Sequence, residues 1–90
     1  MKKIKSFNVY GEKYAVKVTD LPPELLGLCD IVKKKILIQK DSDTVKIAIH
    51  EATHALFFES GINTVVSHEI EELICIMTER LADIFAIKLR

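Results

Sequence analysis

The chain is 90 residues long, which suits one domain with a modest core. Thirteen basic and thirteen acidic side chains balance, so no electrostatic footprint for nucleic acid or an anionic membrane is present. Apolar residues make up 49%, enough for a globular fold, yet no apolar run reaches the roughly 20 residues that span a bilayer.

Met1-Lys2-Lys3 has the look of a signal-peptide start, but Ser6 and Asn8 interrupt the next stretch and no apolar core develops. The expected location is therefore the cytoplasm. Cys29 and Cys75 form no CxxC pair and no disulfide framework. They read as small buried hydrophobes. The alternative for Cys75, on the second helix, is a place near a metal.

Ile4 to Tyr10 reads as a strand, and Gly11-Glu12 as a two-residue hairpin turn with glycine first. Tyr14, Val16 and Val18 alternate with Ala15 and Lys17, the period of a half-buried strand. Thr19 to Pro23 breaks the run, because paired prolines cannot continue a ladder. Glu24-Leu25-Leu26 can form one helical turn. Leu28 to Ile31 and Lys35 to Gln39 then read as a second hairpin around Lys33-Lys34, a solvated tip. Asp41-Ser42-Asp43 supplies a helix N-cap, and Gly61 stops that helix. Ser67 caps a second helix that is expected to run almost to Arg90. Ile70, Leu73, Ile74, Met77, Leu81 and Ile84 repeat at helical spacing, which predicts a core stripe. Lys88 and Arg90 suit the negative end of its dipole. The predicted plan is α+β: a small antiparallel or mixed sheet, then two packed antiparallel helices, in a single domain over residues 1–90.

The first helix carries His50-Glu51-Ala52-Thr53-His54, an HExxH sequence. Residues four apart on a helix lie roughly 40° from each other around the axis, so both imidazoles leave one face. That is the arrangement tetrahedral zinc needs from two neighbouring ligands. Glu51 projects roughly 100° away from His50, beside the metal and not onto it. A carboxylate there can take a proton from an activated water, the general-base half of metal-assisted hydrolysis. The bland reading is a helix with two solvated histidines and a surface acid. Ile47, Ala48, Ile49, Ala52, Ala55, Leu56, Phe57 and Phe58 weaken it, because they make the helix apolar on nearly all sides.

Two histidines hold zinc weakly, so a third protein ligand is expected. Phe57 and Ser60 stand where the metzincin extension needs glycine and histidine, which excludes that class. The acidic second helix is the better source. His54 lies six residues before the first helix ends and Glu72 five residues after Ser67. These are depths of about 9 Å and about 7.5 Å from the turn at 1.5 Å per residue. Glu72 can therefore face the histidine pair. Glu79 is the runner-up, on the same face but about 18 Å from the turn. Its ExxxD spacing with Asp83 could supply a ligand and a hydrogen-bond partner for a histidine. Glu69 and Glu71 read as solvated first-turn acids favoured by the dipole. His68 is a further candidate, as third ligand or as a donor to a developing oxyanion.

Gly27-Leu28-Cys29-Asp30 leading to Ile36-Leu37-Ile38, then HExxH, then Glu71-Glu72-Leu73-Ile74, carries a family resemblance over roughly residues 25 to 90. The chain resembles the small zincin-like metallopeptidases common in phage and prophage genomes. It is more distantly similar to ImmA/IrrE-type and other gluzincin proteases. The resemblance implies a zinc-dependent peptidase acting on a protein or peptide substrate. His50 and His54 would be ligands, Glu51 the catalytic base, and Glu72 the glutamate of the following helix. It also implies that Lys35 to Gln39 could lie at the sheet edge and pair with an extended substrate. Tyr10, Tyr14 and His68 are the aromatic or imidazole donors available to steady an oxyanion. The competing expectation is a non-catalytic module, stabilised by zinc or bound to a protein partner as a phage or prophage regulator. Glu51 favours the enzyme, because a closed structural site needs a fourth ligand and not a free base. An apolar helix face left over by so small a sheet leaves homodimer formation open.

Overall fold

Four strands form one mixed sheet in the computed structural model, which describes residues 5–84. They are β1 (Ser6–Val9), β2 (Glu12–Thr19), β3 (Gly27–Asp30) and β4 (Lys35–Gln39). Helices α1 (Thr44–Ser60), α2 (His68–Glu79) and α3 (Leu81–Ile84) follow, with a short 3₁₀ turn at Ile62–Thr64. The fold is α+β, as the periodicities predict. Among the described residues, no helix is long and apolar enough to cross a membrane.

The strand order is β1-β2-β4-β3. β1 and β2 pair as a hairpin, with Val9 opposite Glu12. The turn is therefore Tyr10-Gly11, one residue earlier than expected. Tyr10 and Gly11 both take positive φ, 51° and 82°, the backbone of a type I′ turn, whose twist matches the flanking strands. β4 runs parallel to β2 and antiparallel to β3. This corrects the placement of Lys35 to Gln39: it lies between two strands, and β3 is the edge on that side of the sheet. Glu24 to Leu26 is no helical turn; a β-turn there closes with Leu25 N donating to Pro22 O at 2.9 Å. Gln39 ties down that crossover, donating to Leu21 O and Leu25 O and accepting from Leu21 N.

The core lies between the sheet and α1. Val9, Tyr14, Ile36 and Ile38 pack there with Ile47, Ala48 and Ala55. Ile36 and Ile38, two apart on β4, are fully buried on one face, each stabilising the fold by about 1.5–3 kcal/mol. Asp43 caps α1 by accepting from Lys46 N, and Gly61 ends it at φ 80°, a left-handed position that glycine fills without strain. Tyr14 reaches the far end of α1, its hydroxyl donating to Glu59 Oε2 at 2.6 Å, and Lys34 pairs with the same oxygen. Burial, then Glu59, pushes the Tyr14 phenol up to about 12.

α2 departs most from expectation. Its one buried residue is Cys75. Ile70, Leu73, Ile74, Met77, Leu81 and Ile84 are exposed, so the predicted core stripe is not core. The face that α2 turns to α1 carries acids instead. The helix stops at Glu79, where Arg80 starts a tighter turn into α3. Lys88 and Arg90 lie outside the described residues.

Candidate metal centre

α1 and α2 run antiparallel, because His50 meets Glu79 while His54 meets Glu71. The imidazoles of His50 and His54 stand edge to face, their centroids 5.1 Å apart. Both are mostly buried, with side chains 17% and 19% exposed. Facing them on α2 are the adjacent Glu71 and Glu72, then Cys75 and Glu79 at further steps of three or four residues, hence on one stripe.

Every ring nitrogen of the pair meets a carboxylate. Glu72 bridges the two histidines, with Oε1 2.8 Å from His50 Nε2 and Oε2 3.1 Å from His54 Nε2. Glu79 Oε1 lies 2.7 Å from His50 Nδ1, and Glu71 Oε2 lies 2.6 Å from His54 Nδ1. A neutral imidazole carries one N–H and one lone pair, and an ionised carboxylate only accepts. With Nδ1–H donating to Glu79 and Glu71, each Nε2 would point a lone pair at the Glu72 oxygens. That contact is repulsive unless a cation lies between them or the rings are doubly protonated. For His50, burial by itself disfavours the proton. The Glu79 hydrogen bond and the charges of Glu51, Glu72 and Glu79 outweigh it, and hold the ring above its ordinary value.

Glu51 sits beside this cluster, only 9% exposed. It makes no hydrogen bond or ion pair among the described residues. Burial pushes its carboxyl above the ordinary range, with Glu72 and Glu79 adding to the effect and His54 and His50 opposing it. Gly27 makes room for it. A Cβ on Gly27 would stand 2.6 Å from Ile47 Cγ2 and 3.0 Å from Glu51 Oε2, so any side chain there would have to push Ile47 and Glu51 aside.

Two clefts open on either side of Glu51 and share it as a wall. One, of about 280 Å³, is lined by Glu24, Leu26, Gly27, His50, Glu72 and Glu79 among others. The other, of about 320 Å³, is lined by Leu28, Cys29, Ile31, His54, Phe58 and Glu71. Both run along β3. Gln39 N donates to Leu26 O at 2.7 Å, so Leu26, Leu28 and Asp30 form the bonded pairs with β4. By the alternation of an antiparallel ladder, the N–H and C=O groups of Gly27 and Cys29 face the open edge.

The structure brings together His50, Glu51, His54 and Glu72, the residues singled out by spacing and depth. It gives Glu79 the position of a ring-orienting acceptor on His50. Asp83 does not follow it there, pairing with Lys46 at 2.7 Å. Glu71 corrects its expectation as a solvated first-turn acid, since its side chain is only 15% exposed and is bound to His54. The signal that could have found it was the free Nδ1 of each histidine, which needs an acceptor. Glu69 is exposed, as expected. Tyr14 is buried against Glu59, away from the cluster. Tyr10 is 71% exposed and belongs to a groove against Ile49, Ala52 and Leu56, another face of α1. His68 is exposed at the first position of α2, one turn before Glu71 and Glu72.

Four carboxylates (Glu51, Glu71, Glu72, Glu79) thus surround two imidazoles, a donor set suited to a divalent cation. Nitrogen and oxygen donors with a carboxylate behind each histidine are the composition of protein zinc sites. No family model matches this chain, and neither a curated protein nor a solved structure does.

Proposed function

We propose that this chain is a zinc-dependent metallopeptidase of the minimal zincin kind, acting in the cytoplasm on a protein or peptide substrate. One observation carries the reading: Glu72 spans the Nε2 atoms of both HExxH histidines while Glu79 and Glu71 hold their Nδ1 atoms. Zinc bound by His50, His54 and Glu72 would supply Lewis acidity toward a peptide carbonyl and acidify water. The rest of the chemistry belongs to the chain. Glu79 and Glu71 accept the Nδ1 protons and so fix which nitrogen each ring turns inward. Glu51, without a hydrogen-bond or ion-pair partner among the described residues and raised above the usual carboxylate range by burial, accepts the proton of the attacking water. It then returns a proton to the departing amine. An extended peptide would pair with the outward backbone groups of Gly27 and Cys29 on β3, as an added strand. Its side chains would fall into the clefts flanking Glu51. The resemblance to phage and prophage zincin-like peptidases supports the same reading through His50, Glu51, His54 and Glu72.

Glu51→Gln tests the reading. Glutamine is nearly isosteric and a good helix former, so the variant folds. It keeps its zinc, because His50, His54 and Glu72 are untouched. Hydrolysis of a broad peptide library is expected to fall by about 10² to 10⁴, the usual contribution of a general base. Equal turnover in wild type and variant would remove Glu51 from the mechanism. Absence of turnover in wild type across varied peptides and metals would replace the peptidase with a binding module.

A further inference from the structure

We propose that the two clefts beside Glu51 select a peptide with lysine or arginine on one side of the cut bond and a large apolar residue on the other. The basic side chain would enter the acidic cleft at the Gly27 end of β3, and the apolar one the cleft between Leu28, Ile31 and Phe58. The proposal rests on the peptidase reading above and names the substrate class for that site. An extended strand turns every second side chain to one face. A peptide laid along β3 can therefore present one side chain to each cleft.

The clefts differ in chemistry although they share a wall. The one of about 280 Å³ is lined by the carboxylates of Glu24, Glu51, Glu72 and Glu79, and among the described residues by no lysine or arginine. Zinc would bring two positive charges against these four acids, so the cleft keeps an excess of negative charge. Lys46, one turn before His50, does not line it, and pairs with Asp83 at 2.7 Å. Glu24 is exposed and forms no ion pair among the described residues. Leu26 and Ile47 line the same cleft. A lysine or arginine matches that wall, its apolar stem along Leu26 and Ile47 and its charged head at the carboxylates. Acids alone would not make a binding place, since solvent satisfies most of them. Glu51 is the independent sign: it is only 9% exposed, has no hydrogen-bond or ion-pair partner among the described residues, and lines both clefts. A buried carboxylate left unpaired is costly, so the meeting point of the clefts is built to receive a ligand. The cleft of about 320 Å³ has another character. Leu28 and Phe58 line it with 42% and 39% of their surface exposed, beside Ile31. Glu71 lines it too, but is bound to His54 Nδ1.

Two readouts test this on the whole chain loaded with zinc. The first is cleavage of a peptide library with each position fixed in turn as Lys, Arg, Leu, Phe or Glu. Lys or Arg on one side of the cut bond, and Leu or Phe on the other, should be favoured over Glu by at least about tenfold. The second is anisotropy of fluorescein-labelled peptides binding to Glu51→Gln. It should show the same preference, with the basic part weakening as salt rises. Glu24→Lys should cut the basic preference at least about threefold and spare the apolar one, and Leu28→Ser should do the converse. Both residues are exposed, so both variants fold. Cleavage or binding indifferent to charge or to the apolar residue would overturn the proposal and leave the peptidase reading standing. So would a basic preference unchanged in Glu24→Lys. The expected binding preference without cleavage by wild type would overturn the peptidase reading and leave the cleft assignment standing. No binding and no cleavage of any peptide would overturn both.

Discussion

Glu71 and Glu79 show how one side chain can read two ways. Each is an acid on an acidic helix, and Glu71 lies in a first turn where the dipole alone favours it. What separates it from Glu69 is a single contact, 2.6 Å to His54 Nδ1. Glu79 makes the matching contact to His50 at 2.7 Å. Partners of this kind set the tautomer and raise ligand basicity, and losing one typically weakens metal affinity 10–100-fold. Glu71→Gln and Glu79→Gln should each weaken zinc binding by about that factor, and Glu69→Gln should not. Competition against a chelator of known affinity measures it. Three equal affinities would mean that the Nδ1 contacts do not orient the rings. At this scale the sequence disclosed the histidines, Glu51 and the reach of Glu72, because helical spacing and depth depend only on position. Glu71 stayed hidden because its local reason to be acidic was already sufficient. Cys75 stayed ambiguous because a buried cysteine is common whether or not it meets a metal.

At the scale of elements, the strands were legible and their order was not. Period-two alternation marks Tyr14, Val16 and Val18, and it marks Ile36 and Ile38, yet it is silent on which strand neighbours which. The chain leaves β2, passes outward to β3, and returns through a hairpin to place β4 in parallel beside β2. That crossover is held by Gln39, whose side chain binds the backbone of Leu21 and Leu25. No local pattern announces such a contact eighteen residues away. Its consequence is functional, because it makes Gly27–Asp30 an edge and lays Gly27 against Glu51. Gly27→Ala would force a methyl group to within 2.6 Å of Ile47 Cγ2. Overpacking of this kind costs about 1–3 kcal/mol. The variant should melt earlier, and its peptidase rate should fall more than its zinc affinity, since Glu51 is displaced while the ligands are not. An unchanged melting temperature and rate would mean that β3 does not press on Glu51.

The whole molecule divides its two helices between two tasks. α1 gives one face to the sheet and the other to the candidate metal centre, so the core and the candidate site share a single element. α2 contributes little apolar packing to the described fold, and its inward stripe is Glu71, Glu72, Cys75 and Glu79. The helical period in its sequence correctly predicts a helix. It points to the wrong buried side, because apolar spacing takes no account of the imidazoles that draw the acids inward. Without a cation, this interface holds more negative charge than its two imidazoles can offset. Zinc should therefore stabilise the fold by mass action, by about 4 kcal/mol at a thousandfold excess over its dissociation constant. The most direct measurement is elemental analysis of the protein purified without added metal, repeated after equilibration with zinc and removal of the excess. About one zinc per chain is expected in wild type, with Glu72→Ala binding at least about tenfold more weakly. Wild type that holds no transition metal, and takes up none from excess zinc, would contradict the metal centre and the peptidase built on it.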